Sequence, residues 1–207
     1  MTEPRSIAVI DDDAALRDSL ALLFETNDFA VSTYGSVDAF LTAAREKDPA
    51  CIVLDHTLPG RSGVDALGAI GTTAPTASIV LLTGYGNIPL AVRAMRAGVF
   101  EFLEKPIDPD VLLDVVARAA AAAETKEAEA AAASEIQARL ATLTEREREV
   151  LGHMLDGAPN KGIAGKLGIS PRTVEIHRAR VMEKLGCRGP VELFRRYGHA
   201  ALARPAG

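Results

Sequence analysis

The chain has 207 residues, of which 48% are hydrophobic and 25% are charged, with a net charge of -5. It therefore holds enough apolar material for one large domain or two modest ones. Acidic residues end the apolar run 7–10 at once, which argues against a signal peptide or membrane span there, so we expect a cytoplasmic protein. Cys51 and Cys187 are far apart in apolar surroundings, and we interpret them as core residues rather than a disulfide or a metal site.

Acidic and basic residues are unevenly distributed along the chain. Residues 1–141 have a net charge of -10, whereas residues 142–207 have a net charge of +5. An acidic body followed by a basic segment predicts a polyanionic partner for the C-terminal segment alone. Chance clustering is the alternative that charge by itself leaves open.

Short β-rich apolar runs alternate with segments of helical spacing in the first half of the chain. The apolar runs cover residues 7–10, 30–33, 51–54, 78–82 and 99–103. Residues at helical spacing between them are Leu16, Leu20, Leu23 and Phe24; Val37, Phe40, Leu41 and Ala44; and Ala91, Ala94 and Met95. The alternation predicts right-handed βαβ crossovers and therefore an α/β fold, with a doubly wound, five-stranded parallel sheet.

A long helix is predicted after the last strand. Asp108 and Pro109 have the form of an N-cap and a first helical residue, and no Gly or Pro occurs in residues 110–151. Alanine is the best helix former, so we interpret the alanine-rich residues 121–141 as a helical connector. A disordered tether is the alternative.

Three short helices are predicted in the basic segment. Thr144 and Glu147 form a capping box at the start of the first. The second covers residues 161–167 and ends at Gly168, and the third begins at the dipeptide Ser170–Pro171. The last two form a helix-turn-helix, so residues 142–207 are expected to be a small all-α domain.

Polar side chains cluster where the predicted strands end. Asp11–Asp13 follow the first strand, Asp55 follows the third, Thr83 the fourth and Lys105 the fifth. The carboxyl ends of the strands in a doubly wound sheet share one edge, where ligands bind. Clustered carboxylates suit a hard cation such as Mg²⁺, and a carboxylate beside a metal and a lysine can attack a phosphoryl group. Asp55 is the candidate nucleophile.

Each of these residues also has a simpler explanation. Asp12 or Asp13 could cap the first helix. Asp55 could open a turn, and Lys105 could be a surface charge. Their occurrence at successive strand ends favours one common site.

At these residues the chain resembles the receiver domains of two-component response regulators. The motifs are Asp11-Asp12, the run DHTLPGRSG from Asp55 to Gly63, the run TGYG from Thr83, and Lys105-Pro106. The resemblance covers roughly residues 5–120 and implies a flavodoxin-like receiver domain over residues 1–120. It also implies phosphorylation of Asp55 by a sensor histidine kinase in a Mg²⁺-dependent reaction.

The same resemblance implies individual roles. The implied metal ligands are Asp11 through water, Asp12, Asp55 and the backbone carbonyl of Thr57. The implied catalytic groups are Asp55 as phosphoacceptor, with Thr83 and Lys105 holding the phosphoryl oxygens. It further implies that Phe102 is an aromatic switch residue and that the Lys105–Pro106 bond is cis.

Four neighbouring residues depart from the pattern of the family. They are His56, Leu58, Tyr85 and Asn87. None of them belongs to the phosphorylation set, but positions 57 and 85 are associated in the family with tuning of dephosphorylation. The lifetime of the phosphoryl group therefore does not follow from the sequence.

The third predicted helix of the basic segment has two distinct faces. Val174, His177, Val181 and Leu185 fall on one stripe, which should face the core, and His177 is interpreted as a packed histidine. The candidate DNA-binding residues of this helix are Arg172, Thr173, Glu175, Ile176, Ala179 and Arg180. Lys161, Arg178 and Lys184 are placed for phosphate contacts, whereas a mixed outer face suits the major groove.

Here the chain resembles the LuxR-type helix-turn-helix of the FixJ/NarL regulators. The matching runs are LTEREREV from Leu143, Asn160-Lys161, ISPRTVEIH from Ile169 and Lys184-Leu185, and the SPRTVE run is most similar to the FixJ branch. The resemblance implies dimers on inverted-repeat promoter DNA, contact with RNA polymerase, and a fourth helix from about Pro190 that supports pairing of the modules. It also implies that receivers dimerise through their fourth helix, fifth strand and fifth helix.

The expected function is a transcriptional regulator that is not an enzyme, apart from its own phosphorylation and dephosphorylation. Two other functions are alternatives to it. A phosphohydrolase resembling haloacid dehalogenases would need a second Asp where Thr57 stands, and it would leave the basic module without a role. A DNA binder that uses the receiver only as a dimerisation platform is opposed by the intact acidic set. We therefore expect phosphorylation to favour a dimer, with the connector carrying the change to the DNA modules.

Overall fold

The computed structural model describes residues 4–43, 48–84 and 88–202, apart from the side chains of Arg61 and of residues 199–202. The strands are β1 (Ser6–Ile10), β2 (Ala30–Tyr34), β3 (Cys51–Asp55), β4 (Thr57–Leu58), β5 (Arg61–Ser62), β6 (Ser78–Thr83) and β7 (Glu101–Glu104). The helices are α1 (Ala14–Glu25), α2 (Val37–Thr42), α3 (Gly63–Thr73), α4 (Ile88–Arg96), α5 (Pro109–Ala141), α6 (Glu145–Leu155), α7 (Asn160–Leu167), α8 (Pro171–Leu185) and α9 (Pro190–Leu202). None of the described helices has the length and apolar character of a membrane span.

The chain divides into two compact units, Met1–Ala128 and Glu129–Gly207. In the first unit, five strands form a parallel sheet in the order β2-β1-β3-β6-β7, and β4 and β5 form a separate antiparallel hairpin. This confirms the predicted five-stranded parallel sheet. The strand order reverses direction beside β1, so the ends of β1 and β3 lie at the switch point of the sheet.

Both faces of the sheet are buried because successive residues of each strand point to opposite sides. Ile10, Leu54 and Leu81 pack on one side in a cluster with residues of α2, α3 and α4. Val9 and Val53 pack on the other side in a cluster with residues of α1 and α5. The continuous apolar runs in the sequence follow from this burial on two faces.

The fifth sheet strand begins later than predicted. The apolar run starts at Val99, but β7 covers only Glu101–Glu104. The backbone N–H of Val99 donates to the carbonyl of Ala94, 3.2 Å away, so this residue still belongs to the turn that ends α4. The side chain of Val99 is buried nonetheless, which explains why an apolar pattern extended the strand. Met95, placed on the inner stripe of this helix, is exposed, and Ala44 lies outside the described residues.

The second unit is helical, as predicted. Thr144 and Glu147 form the capping box at the start of α6, and Ser170 caps α8. Gly168 ends α7 in the left-handed conformation, with φ of 66°, which other residues adopt only at a cost. α9 packs on the core through Tyr197, whose hydroxyl donates to the carbonyl of Leu185 at 2.9 Å.

α5 belongs to both units. Ala119 and Ala120 belong to the buried cluster on one face of the sheet, Ala123 is also buried, and Glu124 forms an ion pair with Arg5 at 2.7 Å. At its other end, Ile136 and Leu140 pack into the core of the helical unit. The residues from Thr125 to Ser134 are exposed along the whole length between these ends.

Candidate functional site

The polar residues predicted at the strand ends meet at one edge of the sheet. The ammonium of Lys105 lies 2.7 Å from Oδ1 of Asp55 and 2.9 Å from Oδ2 of Asp11. Both carboxylates are buried, with 2% of Asp11 and 4% of Asp55 exposed, while the ammonium reaches them from a side chain that is 27% exposed. A single cation thus bridges the ends of β1 and β3.

Strand register explains this convergence. Ile10 is paired with Leu54 where β1 lies beside β3. The residues that follow them, Asp11 and Asp55, are therefore expected to lie beside each other. Thr83 ends β6 and its carbonyl accepts the N–H of Lys105 at 2.7 Å, which fixes the lysine directly beyond β7. Thr83 is fully buried at this edge.

The backbone around Asp55 is tightly held. Its Oδ2 accepts the N–H of Thr57 at 2.7 Å, so the carboxylate is bound through both oxygens. The N–H of Gly63 donates to the carbonyl of His56 at 2.9 Å. A Cβ at Gly63 would lie 2.6 Å from the carbonyl oxygen of Asp55, so only glycine lets α3 start this close to the strand. The orientation of Asp55 is therefore set before any ligand binds.

The protonation of Lys105 reflects two opposing effects. Burial lowers the pKa of its ammonium, but hydrogen bonds from Asp55 and Asp11, together with their charges, outweigh burial and leave the pKa above its ordinary value. The lysine is therefore a permanent cation at neutral pH, placed to balance negative charge at the edge.

The structure shows which of Asp12 and Asp13 caps α1. Asp13 is the N-cap, and its carboxylate accepts the N–H groups of Ala15 at 2.9 Å and Leu16 at 3.2 Å. Asp12 is exposed at the carboxyl end of β1. Its carboxylate is accordingly not needed to start the helix.

The donor set at this edge fits Mg²⁺. The carboxylates of Asp11, Asp12 and Asp55 lie at one end of the sheet, and they supply hard oxygen donors and negative charge in excess of the Lys105 ammonium. Among the described residues, no three His, Cys, Asp or Glu side chains are grouped closely enough to hold a metal by themselves. Mg²⁺ usually binds to one or two protein carboxylates and completes its shell with water and substrate oxygens, so a closed cluster is not required.

The structure describes some of the other residues that the receiver resemblance implies. Phe102 is half-buried on β7 and packs against the cluster under α4. The Lys105–Pro106 peptide bond is cis. Tyr85 and Asn87 lie outside the described residues.

Two neighbours of the edge were missed by sequence reasoning. Arg17 on α1 donates through Nη1 to the carbonyl oxygen of Asp11 at 2.6 Å. Nδ1 of His56 is buried without a hydrogen-bond partner among the described residues. The spacing of Arg17, four residues after the N-cap Asp13, was the signal that could have placed it next to the strand end.

The helical unit presents the predicted outer face of α8. Val174, Val181 and Leu185 are buried on the inner face, and His177 is half-buried beside them. The exposed residues on the outer side include Arg172, Glu175, Ile176, Ala179 and Arg180. Thr173 and Arg178 are half-buried, and Lys161 is exposed on α7. Arg172 is held loosely, by an exposed ion pair with Glu175 at 3.2 Å.

Lys184 lies in a different environment from the other cations of α8. Its ammonium is 2.6 Å from Oε2 of Glu147, whose side chain is only 3% exposed, and it also donates to the carbonyl of Thr142 at 3.1 Å. The hydrogen bond from Lys184, the N–H of Thr144 and the lysine's charge lower the pKa of Glu147 to about 2. Lys184 thus joins α8 to the start of α6, a structural role that the sequence analysis did not predict.

Two family models match the chain. One is the response regulator receiver domain, over residues 7–117, and the other describes bacterial regulatory proteins of the luxR family, over residues 141–197. The transcriptional regulatory protein FixJ of Azorhizobium caulinodans is 42% identical over 195 residues, which cover 94% of this chain and 92% of that protein.

Two solved structures also match over nearly the full length. The response regulator StyR is 34% identical, with a TM-score of 0.85 over 96% of this chain and 100% of that one. Full-length FixJ from B. japonicum is 37% identical, with a TM-score of 0.55 over 98% of this chain and 100% of that one. The chain therefore belongs to the FixJ-like transcriptional response regulators, with a receiver domain followed by a LuxR-type DNA-binding helix-turn-helix.

Proposed function

We propose that Asp55 accepts a phosphoryl group from a sensor histidine kinase and that this reaction switches promoter binding. The observation that carries the proposal is the bridge from Lys105 to the two buried carboxylates, Asp11 and Asp55, at the switch point of the sheet. In the proposed transfer, an Asp55 oxygen attacks the phosphorus of a phosphohistidine. The phosphorus–nitrogen bond breaks, its electrons leave with the imidazole, and an aspartyl phosphate remains.

Other residues of the site would stabilise the phosphoryl group and hold the metal ion. Lys105 is already a cation 2.7 Å from the attacking carboxylate and would stay paired with the new phosphoryl oxygens. Thr83, buried at the end of the neighbouring strand, would donate its hydroxyl to them. Asp12, Asp55 and the Thr57 carbonyl would hold Mg²⁺, with Asp11 assisting through water. When bound, Mg²⁺ neutralises charge that develops during transfer.

The DNA-binding part of the proposal concerns α8. We assign base-edge or phosphate contacts to its exposed residues and to the neighbouring half-buried cations. The proposed residues are Lys161, Arg172, Thr173, Glu175, Ile176, Arg178, Ala179 and Arg180. The predicted phosphate contact of Lys184 is omitted, because its ammonium is engaged by Glu147 inside the module.

The coupling part of the proposal concerns α5. We propose a receiver over residues 1–120, a connector over 121–141 and a DNA-binding domain over 142–207. The burial of Ala123 in the first unit and the packing of Leu140 in the core of the second support a connector whose two ends belong to different units. Phosphorylation would shift the receiver toward a dimerising state, with Phe102 as the switch residue, and α5 would carry this shift to paired modules that contact promoter DNA and RNA polymerase.

The test is the Asp55→Asn variant of the full chain, with Asp38→Asn as the control at an exposed carboxylate on α2. We expect Asp55→Asn to abolish labelling by a small phosphodonor and the phosphodonor-dependent gain in DNA affinity, and the control to retain both. Electrophoretic phosphate-affinity assays and DNA-binding titrations measure these quantities. A rise in DNA affinity with phosphodonor that persists in Asp55→Asn would overturn the role of Asp55. DNA binding of the unaltered chain that does not change with phosphodonor would support the alternative, a phosphorylation-independent regulator.

A further inference from the structure

The guanidinium of Arg17 lies beside the acidic edge, between α1 and the ends of β1 and β2. It projects from the first turns of α1 and donates to the backbone carbonyl of Asp11 at 2.6 Å. It also lies over the turn after β2, where a Cβ at Gly35 would be 3.6 Å from its Nη1. Arg17 therefore binds α1 to the end of β1 and lies beside the end of β2.

The bonded carbonyl belongs to the peptide unit that joins Asp11 to Asp12. This unit is planar, so holding its oxygen also fixes the direction in which the chain leaves Asp11 and enters Asp12. The same turn is held at two further points: the N–H of Asp11 donates to the carbonyl of Tyr34 at 3.2 Å, and Oδ1 of Asp11 accepts the N–H of Asp13 at 2.9 Å. Asp12 is exposed, so its direction depends on this backbone rather than on packing around its side chain.

We propose that Arg17 is a positioning residue that holds the Asp11–Asp12 peptide so that the Asp12 carboxylate is presented to Mg²⁺. The inference rests on the proposed function, because it requires Mg²⁺ at this edge. Arg17 itself does not touch the metal or the phosphoryl group; it acts through the backbone of a ligand, as hydrogen-bonded partners of metal ligands do.

The sign of the effect separates positioning from electrostatics. The positive charge of Arg17 repels a second cation, so a purely electrostatic role predicts tighter Mg²⁺ binding when the guanidinium is removed. Positioning predicts weaker binding, because the carboxylate of Asp12 would then sample other directions. The loss of a partner that orients a metal ligand typically weakens metal binding by about 10-fold or more.

The experiment is a calorimetric titration of the full chain with Mg²⁺ alone. We expect Arg17→Met, which keeps the aliphatic stem but removes the donor, to raise the Mg²⁺ dissociation constant about 10-fold. Arg17→Lys, which keeps a donor and a charge, should restore most of the affinity. Arg96→Met is the matched control, since Arg96 is exposed at the end of α4. Unchanged or tighter binding in Arg17→Met overturns the proposal.

Phosphorylation by a small phosphodonor provides the second readout, because it bypasses the kinase. With Arg17→Met, the Mg²⁺ concentration for half-maximal rate should rise while the rate at saturating Mg²⁺ stays near that of the unaltered chain. A rate that remains low at saturating Mg²⁺, in a chain shown by circular dichroism to be folded, means that the substitution impairs a step other than metal binding, and this overturns the positioning role.

Asp12→Asn separates the two proposals. If it weakens Mg²⁺ binding and Arg17→Met does not, the proposed metal site stands and the role of Arg17 fails. If the unaltered chain binds no Mg²⁺, or Asp12→Asn has no effect on binding, the metal part of the proposed function fails and the positioning role fails with it.

Discussion

The acidic edge of the receiver and the outer face of α8 are both polar, but they are built in opposite ways. At the edge, Asp11 and Asp55 are almost completely buried and share one ammonium. On α8, the side chain of Arg172 is 83% exposed and its ion pair with Glu175 is solvated. The first arrangement is organised by the fold itself, whereas the second leaves the side chains to be ordered by a partner.

This difference in burial determines how strongly a single substitution affects stability or binding. A charge that loses its partner inside a protein keeps the cost of its removal from water, so single changes there have large effects. An exposed ion pair contributes little by itself, and a surface built from several such groups acts through their sum. Lys184 lies on the same helix as Arg172 but is paired with buried Glu147, so its loss should have a large effect, as at the edge of the receiver.

The largest effect is expected for Lys105→Met in the absence of Mg²⁺. The substitution removes the cation that the two buried carboxylates of Asp11 and Asp55 share, so the receiver should lose about 3 kcal/mol of unfolding free energy. Adding Mg²⁺ should return part of that loss, because the cation replaces the missing positive charge. Urea denaturation with and without Mg²⁺ measures both, and Lys126→Met, on the exposed part of α5, is the control. Equal midpoints for Lys105→Met and the unaltered chain would show that the buried carboxylates of the edge do not depend on a partner for their stability.

An intermediate effect is expected for Glu147, whose pKa in the folded chain is lowered from 4.5 to about 2. Because the folded pKa lies below the unfolded one, the stabilisation is complete above about pH 4.5 and is lost as the pH falls toward 2. Its size is about 2 kcal/mol, after allowance for the partly exposed ammonium of Lys184.

Glu147→Gln should therefore make the stability of the DNA-binding domain less dependent on pH between about pH 4.5 and 2. Amide signals of α6 and α8, followed by NMR in the full chain between neutral and acidic pH, report this domain separately. Glu149→Gln is the matched control, since Glu149 pairs with Arg146 at the surface. Identical acid profiles for both variants would show that burial of the Glu147 pair contributes nothing.

The smallest single effects are expected for Arg172→Ala and Arg180→Ala. Each should weaken DNA binding by about 10-fold, with little change in stability, because both side chains are exposed. If either contacts phosphate, the salt dependence of binding should also become shallower by about one unit per contact. Titrations at several salt concentrations measure both quantities, with Arg188→Ala as an exposed control beyond α8. Unaltered affinity in the double variant would show that the outer face of α8 is not the DNA-binding surface.

Sequence patterns predicted the elements whose local signals were strong. The capping box at Thr144, the cap and proline at Ser170–Pro171, and four of the five apolar strands were found with nearly correct bounds. The sequence analysis did not predict α3, although Ser62 caps it, because the helix begins at Gly63 and also contains Gly68 and Gly71. This helix exists because its apolar side chains, including Ile70, are buried against the sheet, so packing outweighs a low intrinsic propensity.

The order of residues along the chain determined which groups meet at the acidic edge, because parallel strands of known direction bring their last residues together. Tertiary structure decided which of them are bound to each other. The distance from Lys105 to Asp55, the choice of Asp13 as the cap and the reach of Arg17 to Asp11 depend on side-chain directions and burial. Such contacts join residues far apart in sequence, and no local pattern encodes their geometry. The ion pair between Lys184 and Glu147, which are 37 residues apart, is another contact of this kind.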